Sequence, residues 1–117
     1  MKLIIQIPCK NEEVHLPEVL RELPTHIEGI DTIEVLVIDD GSTDRTVQVA
    51  REHGVHHILS FPANRGLGTA FRLGVEYALA QGADIVVNTD ADNQYPSRYI
   101  PDLIAPILEH RADMVIG

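Results

Sequence analysis

The chain has little of what several large functional classes require. It carries one cysteine, Cys9, in 117 residues, which can build neither a disulfide framework nor a cysteine-based zinc site and fits a reducing compartment. Basic residues are scarce: nine lysines and arginines against eighteen acids give a net charge of −9. That balance excludes the broad basic surface of a nucleic-acid binder or of a protein held on anionic lipid. Long apolar runs are missing as well. Stretches such as Val35-Leu36-Val37-Ile38 are a few residues long, against the ~20 needed to span a bilayer, so no membrane span is expected. Gln6 and Pro8 interrupt the opening apolar stretch sooner than the core of a signal peptide tolerates. The expected location is cytoplasmic.

Familiar catalytic and cofactor signatures are missing too. There is no G-x-x-x-x-G-K-[S/T] loop and no Gly-x-Ser-x-Gly elbow, which removes a P-loop nucleotidase and gives acyl-enzyme chemistry no support. Cys9 has no adjacent histidine and is expected to pack at the sheet edge. Gly66-Leu67-Gly68 lacks the third glycine of a dinucleotide fingerprint and follows the third strand rather than the first, so no nicotinamide or flavin is expected. The six histidines are scattered, and no zinc site is expected.

What is present is an ordinary globular balance, 44% apolar and 23% charged, in a length that suits one domain. Short Ile- and Val-rich runs at 2–7, 33–38, 56–60, 84–88 and 113–116 read as strands. Helical periodicity fills the gaps. Glu12–Leu23 places Val14, Leu16, Val19, Leu20 and Leu23 on one stripe, and Asp44–His53 ends at a capping Gly54. Leu67–Gln81 carries Leu67, Phe71, Val75, Ala78 and Leu79 on a stripe and closes at Gly82. A fourth helix opens at Ser97 and carries Ile100, Leu103, Ile104, Ile107 and Leu108, with Pro106 bending or shortening it. The alternation predicts an α/β fold, an open, mainly parallel Rossmann-like sheet with helices on both faces. The chain ends on what reads as a core strand, so residues 1–117 are expected to be a single domain truncated at its C-terminal end.

In such a sheet ligands bind outside the carboxyl ends of the strands, and the polar clusters fall there. Strand one runs into Pro8-Cys9-Lys10-Asn11-Glu12-Glu13, strand two into Asp39-Asp40-Gly41-Ser42-Thr43-Asp44, and strand four into Thr89-Asp90-Ala91-Asp92-Asn93-Gln94. In an extended segment the carboxylates of Asp90 and Asp92 share a side, with about 6.6 Å between α-carbons. They can share a hard divalent ion, or one can take the ion and the other a ligand hydroxyl, with Gln94 adding a neutral oxygen. A plain polar turn is the competing reading. Asp44 reads as a cap, while Asp39 and Asp40 exceed what capping needs. Gly66 and Gly68 permit close backbone approach at a helix start that favours phosphate.

Together these segments resemble the nucleotide-sugar-binding half of family 2 glycosyltransferases, the GT-A fold, and in particular the polyprenyl- and dolichyl-phosphate sugar synthases. The carriers are Ile7–Glu13, Val37–Thr46, Asn64–Ala70 and Asn88–Tyr95. The resemblance implies that Pro8, Lys10 and Glu12 line the nucleoside pocket, with Glu12 on a ribose hydroxyl. Ile38 and Asp40 would meet the base. Asp90, Ala91 and Asp92 would face the sugar diphosphate, and Asp90, Asp92 and Gln94 would hold Mg²⁺ or Mn²⁺. Lys10 departs from the pattern, because relatives often carry an aromatic there that stacks near the base. The implied reaction is inverting transfer of a sugar from a UDP- or GDP-linked donor to an acceptor such as a polyprenyl phosphate. No catalytic residue is assigned within this chain, since a general base, if used, is expected beyond residue 117. The longer protein is expected at the cytoplasmic face of a membrane.

Three other readings compete. A phosphoryl-receiver domain places its paired acids after strand one and a lysine after strand five, whereas here the pair follows strand two and the only lysines are Lys2 and Lys10. A sugar-1-phosphate nucleotidyltransferase is expected to carry a glycine- and basic-rich signature after its first strand, which Pro8–Glu13 is not. The third is a binding-only or inactive fragment that lacks its acceptor half and forms homo-oligomers through an exposed strand edge.

Overall fold

The first strand, β1 (Lys2–Cys9), shows why its sequence is almost continuously apolar. Leu3, Ile5, Ile7 and Cys9 enter one core cluster and Ile4 enters a second. Successive side chains of a strand point to opposite faces, and here both faces are covered. The structure, a computed structural model, describes residues 1–91 and 114–116. After β1 come α1 (Leu16–Glu22), β2 (Thr32–Asp40), α2 (Thr46–Glu52), β3 (His57–Phe61), α3 (Leu67–Ala80), β4 (Ile85–Asn88) and β5 (Met114–Ile116). Every strand pairing among them is parallel, in the order β3-β2-β1-β4-β5. Leu16 and Val19 of α1 and Ala50 of α2 cover one face, while Ala70 and Ala78 of α3 cover the other. The expected α/β architecture is therefore present. The fourth helix expected from Ser97 lies outside the described residues. No described helix is long and apolar enough to cross a membrane.

β1 and β2 each run two residues further than their apolar stretches suggest, to Cys9 and Asp40. Cys9 therefore lies in the core of the central strand and not at the sheet edge. Pro8 pairs with Ile38 on the β2 side, but the β1–β4 ladder stops at Gln6 and Asn88. Thr89 N–H donates to the Gln6 carbonyl at 3.0 Å, so the even residues of β1 turn their backbone groups toward β4. Pro8 has no N–H to carry that ladder further. The two strands part at this point, and a crevice opens between their ends.

The helices depart from the predicted stripes in two places. Val14 is 79% exposed, because α1 begins only at Leu16. The turn before it is tied elsewhere: Glu12 N–H donates to Thr46 Oγ1 at 2.9 Å and Glu13 N–H to Asp44 Oδ2 at 3.3 Å. In α3 the expected stripe is also rotated. Leu67 and Leu79 are exposed, and the buried positions are Ala70, Gly74 and Ala78. The reason is distance. A Cβ on Gly74 would lie 2.2 Å from Ile38 Cδ1 and 2.6 Å from Gln6 Oε1, so the helix rests on the sheet through its small residues.

At the amino ends of the strands, a polar cluster ties α3 to three of them. His57 Nε2 donates to Glu34 at 2.8 Å, Lys2 Nζ meets the same carboxylate at 3.1 Å, and the Tyr77 hydroxyl lies 3.0 Å from His57 Nδ1. The His57 bond, aided by Lys2, holds the Glu34 carboxyl below its ordinary value against the opposing effect of burial.

The close approach at Gly74 generates a stability prediction. Gly74→Ala gains about 1 kcal/mol of helix propensity but must displace two fully buried side-chain ends, an overpacking cost of about 1–3 kcal/mol. The expected net result is a lower Tm in a thermal melt. An unchanged or raised Tm would show that α3 lifts from the sheet without cost.

Candidate functional site

The chain leaves β1 toward β2 and β3 on one side of the sheet and later returns to place β4 on the other. In an open parallel sheet this reversal is where loops diverge and a ligand crevice forms. A cavity of about 500 Å³ lies there, within the size range of small-molecule sites. Pro8, Lys10 and Glu12 enter it from the end of β1, and Asp40 from the end of β2. Asn64, Gly66 and Leu67 come from the entrance to α3, and Asp90 and Ala91 from the segment after β4.

Six of the residues singled out from the sequence thus meet in one place: Pro8, Lys10, Glu12, Asp40, Asp90 and Ala91. Ile38 does not join them. It shares the face of Asp40 but sits two residues deeper in β2, fully buried in the cluster under α3 and facing Gly74, so the covering helix shuts its side chain off from the cavity. Asp92 and Gln94 lie outside the described residues. Gly66 belongs to the segment that the sequence marks for close backbone approach at a helix start, while Asn64 and Leu67 are additions. The helical stripe places Leu67 in the core, and the structure leaves it exposed.

The loops are held by their own polar groups. Asn11, at φ +54, occupies the left-handed region that asparagine tolerates better than most residues. Its Oδ1 accepts the N–H of Thr43 at 2.8 Å and of Asp44 at 3.3 Å, and its N–H donates to Ser42 Oγ at 2.9 Å. Asn11 therefore laces the β1 loop to the β2 loop between Lys10 and Glu12. Thr46, fully buried, donates its hydroxyl to Asp44 and accepts the Glu12 N–H. Gly41 has φ +77, and a Cβ there would lie 2.6 Å from the Asn64 nitrogen. Only glycine lets the loop before α3 close over the end of β2.

The two acids of β2 separate by strand parity. Asp39 accepts Ser42 N–H at 3.0 Å and Ser60 Oγ–H at 2.9 Å, which makes it a turn holder. Asp40 lines the cavity and accepts Arg65 N–H at 2.7 Å and Gly66 N–H at 3.0 Å, an anion set at the N-terminus of α3. Each carboxylate oxygen retains capacity for a further donor. Cys9 is no nucleophile: burial, with Glu12 and Asp39 nearby, pushes its thiol well above its ordinary value.

Glu12, Asp40 and Asp90 bring three carboxylates to the cavity against one ammonium, Lys10. An anionic ligand needs added positive charge there. The donor set is hard oxygen, which suits Mg²⁺ or Mn²⁺. Asp90 is the one described member of the expected ligand trio. Among the described residues no group of three or more His, Cys, Asp or Glu side chains is placed to hold an ion by itself. A site built on one or two carboxylates plus ligand phosphates is the usual arrangement for magnesium.

Residues 4–117 match the family model for glycosyl transferase family 2. The uncharacterized protein MJ1222 of Methanocaldococcus jannaschii is 36% identical over 119 residues, an alignment covering 99% of this chain and 46% of that protein. The undecaprenyl-phosphate 4-deoxy-4-formamido-L-arabinose transferase of Salmonella choleraesuis is 34% identical over 108 residues, covering 89% of this chain and 33% of the enzyme. The chain thus spans less than half the length of these relatives. Among solved structures, residues 1–349 of Staphylococcus aureus TarS align with a TM-score of 0.73 at 25% identity, over 97% of this chain and 34% of that one. Glucosyl-3-phosphoglycerate synthase from Mycobacterium tuberculosis, in complex with Mn²⁺, uridine diphosphate and glucosyl-3-phosphoglycerate, aligns at 0.71 and 30% identity, over 92% and 39%.

Asp44, which anchors the lacing, carries a pH signature. Burial alone would raise its carboxyl, but hydrogen bonds from the Thr46 hydroxyl, Thr46 N–H and Glu13 N–H outweigh it and hold the group below its ordinary value. A carboxyl lowered on folding adds stability above its unfolded-state pKa and loses it as pH falls through the folded value. Asp44 does not cap α2, whose N-cap position is Arg45 without a side-chain capping bond; it ties the turn before the helix instead. Asp44→Ala is expected to cost about 1 kcal/mol near neutral pH, the net worth of a lost hydrogen bond. The gap from the parent should narrow as the pH is taken from neutral to below about 4, the ordinary range of an aspartate carboxyl. Urea unfolding at both pH values checks this, and a gap that persists in acid would remove the charge from the account.

Proposed function

The chain belongs to glycosyl transferase family 2, and from that premise we propose that it binds a nucleotide-diphosphate sugar as the donor for inverting transfer to an acceptor. The observation that carries this reading is the meeting of Pro8, Lys10, Glu12, Asp40, Asp90 and Ala91 in one cavity at the strand-order reversal. In the proposed complex Pro8 and Lys10 line the nucleoside pocket and Glu12 accepts a ribose hydroxyl. Asp40, preset by the Arg65 and Gly66 N–H groups, accepts an N–H of the base. Ile38 supports that pocket only from beneath. The diphosphate lies toward Asp90, where Asp90, Asp92 and Gln94 would hold a divalent ion. When bound, such an ion supplies positive charge for the departing diphosphate.

In the transfer step an acceptor oxygen attacks the anomeric carbon in line. The new C–O bond forms as the bond to the diphosphate breaks, and the nucleoside diphosphate leaves with the electron pair. The chain's part is to fix the donor so that its anomeric carbon faces the acceptor. A lipid phosphate acceptor arrives already anionic and needs no base, and the name of the Salmonella relative supports that class. Mycobacterium tuberculosis glucosyl-3-phosphoglycerate synthase, with uridine diphosphate and Mn²⁺ or Mg²⁺, supports a UDP-linked donor and a divalent ion. A GDP-linked donor is the alternative. Because the chain covers 46% or less of these curated relatives, residues 1–117 alone are proposed to bind donor without completing transfer.

Calorimetric titration of the 117-residue chain with UDP- and GDP-sugars, with and without Mn²⁺, tests the reading. Binding of one nucleotide class is expected to depend on the metal. Asp92→Ala should weaken it by about tenfold or more, the equivalent of one good contact. No binding of either class at millimolar concentration by a chain that melts cooperatively would overturn it.

A further inference from the structure

Gln6 sits at the middle of the central strand, fully buried, where leucine or methionine would pack at no polar cost. Its Oε1 has no hydrogen-bond partner among the described residues, a penalty for any buried acceptor. The other end of the amide is fully engaged. Nε2 donates to the Phe71 carbonyl at 3.4 Å and to Asn88 Oδ1 at 3.0 Å.

These contacts set the direction of the whole relay. A backbone carbonyl can only accept, so Gln6 must turn its NH₂ toward Phe71, and the same NH₂ faces Asn88. Asn88 must answer with its oxygen, which turns its own NH₂ away from Gln6. Asn88 is half-buried and lines a second cavity of about 280 Å³ with Pro8, Leu67, Gly68, Phe71 and Asp90. Pro8, Leu67 and Asp90 also line the larger crevice, so the two cavities adjoin at these residues. Three apolar side chains, a neutral amide and a carboxylate suit a hydroxylated ring with an apolar face. They do not suit an anion.

We propose that this second cavity receives the sugar of the bound donor, that the Asn88 amide donates a hydrogen bond to one of its oxygens, and that Gln6 is the positioning residue that aims it. The proposal rests on the donor-binding reading of the crevice. Asn88 would then discriminate among sugars, because a site built around a donor group penalises an epimer that leaves the group unpaired.

The test compares the chain with Asn88→Ala, Asn88→Asp and Gln6→Met. Each is titrated in Mn²⁺ with UDP, UDP-glucose, UDP-galactose, UDP-N-acetylglucosamine, GDP and GDP-mannose. Asn88→Ala is expected to flatten the preference among sugars by about tenfold while the affinity for the free nucleoside diphosphate moves little. Asn88→Asp keeps an acceptor for Gln6 but presents no donor to the cavity, and should lose the preference as well. Gln6→Met should reproduce part of that loss. A fall in Tm with sugar preference unchanged in all three would overturn the proposal and leave the pair a structural contact. Failure of the unmodified chain to bind UDP or GDP at all would overturn the donor-binding reading and this one with it.

Discussion

The distance between helix α3 and the sheet governs much of the rest. With alanines at 70 and 78 and glycine at 74 facing the strands, the helix comes close enough for its backbone to take part in the polar interior. The Phe71 carbonyl reaches Gln6, and the N–H groups of Arg65 and Gly66 reach Asp40. A helix held further out by leucines would bury more apolar area per residue. It would also withdraw these groups and widen the crevice. The strands yield some hydrophobic stabilisation there in exchange for a fixed wall.

Around that wall, the acids at the end of β2 and after it divide by task. Asp39 and Asp44 spend their oxygens on Ser42, Ser60, Thr46 and Glu13. The Asp44–Glu13 bond, with those of the left-handed Asn11, joins the loops after β1 and β2 into one unit. Asp40 does both, since it is fixed by two backbone donors and still lines the cavity. Such prior anchoring matters for a flexible, charged ligand, because a site that is already ordered loses less freedom when it binds.

The two ends of the sheet serve different purposes. At the amino ends, Lys2, Glu34, His57 and Tyr77 pair among themselves, and α3 is fastened there at its C-terminal half. At the carboxyl ends, Glu12, Asp40 and Asp90 meet Lys10 among the described residues lining the crevice, the balance on which the proposed divalent ion and phosphates rest. Stability and recognition are thereby separated along the strand axis, as expected of a parallel sheet whose loops diverge at its carboxyl edge.

Much of this was legible from residue order alone. Parallel strands buried on both faces leave near-continuous Ile and Val runs. The rule that ligands bind at their carboxyl ends then places the segments 8–13, 39–44 and 89–94 on one edge without knowledge of any contact, and the family resemblance selects Pro8, Lys10, Glu12, Asp40, Asp90 and Ala91 within them. Periodicity records which side chains are apolar, not how near a helix lies to its sheet. It therefore assigned Leu67 and Leu79 to the core in place of Ala70 and Gly74, whereas the expectation that Ile38 meets a base came from the resemblance, and α3 covers that side chain. The orientation of Asn88, the anchoring of Asp40 and the entry of Asn64, Gly66 and Leu67 into the crevice depend on hydrogen bonds and packing between segments far apart in the chain. Local pattern determined the elements and the edge at which chemistry collects. Tertiary packing decided which atoms at that edge face a ligand, because hydrogen-bond direction is set only when both partners have been brought into place.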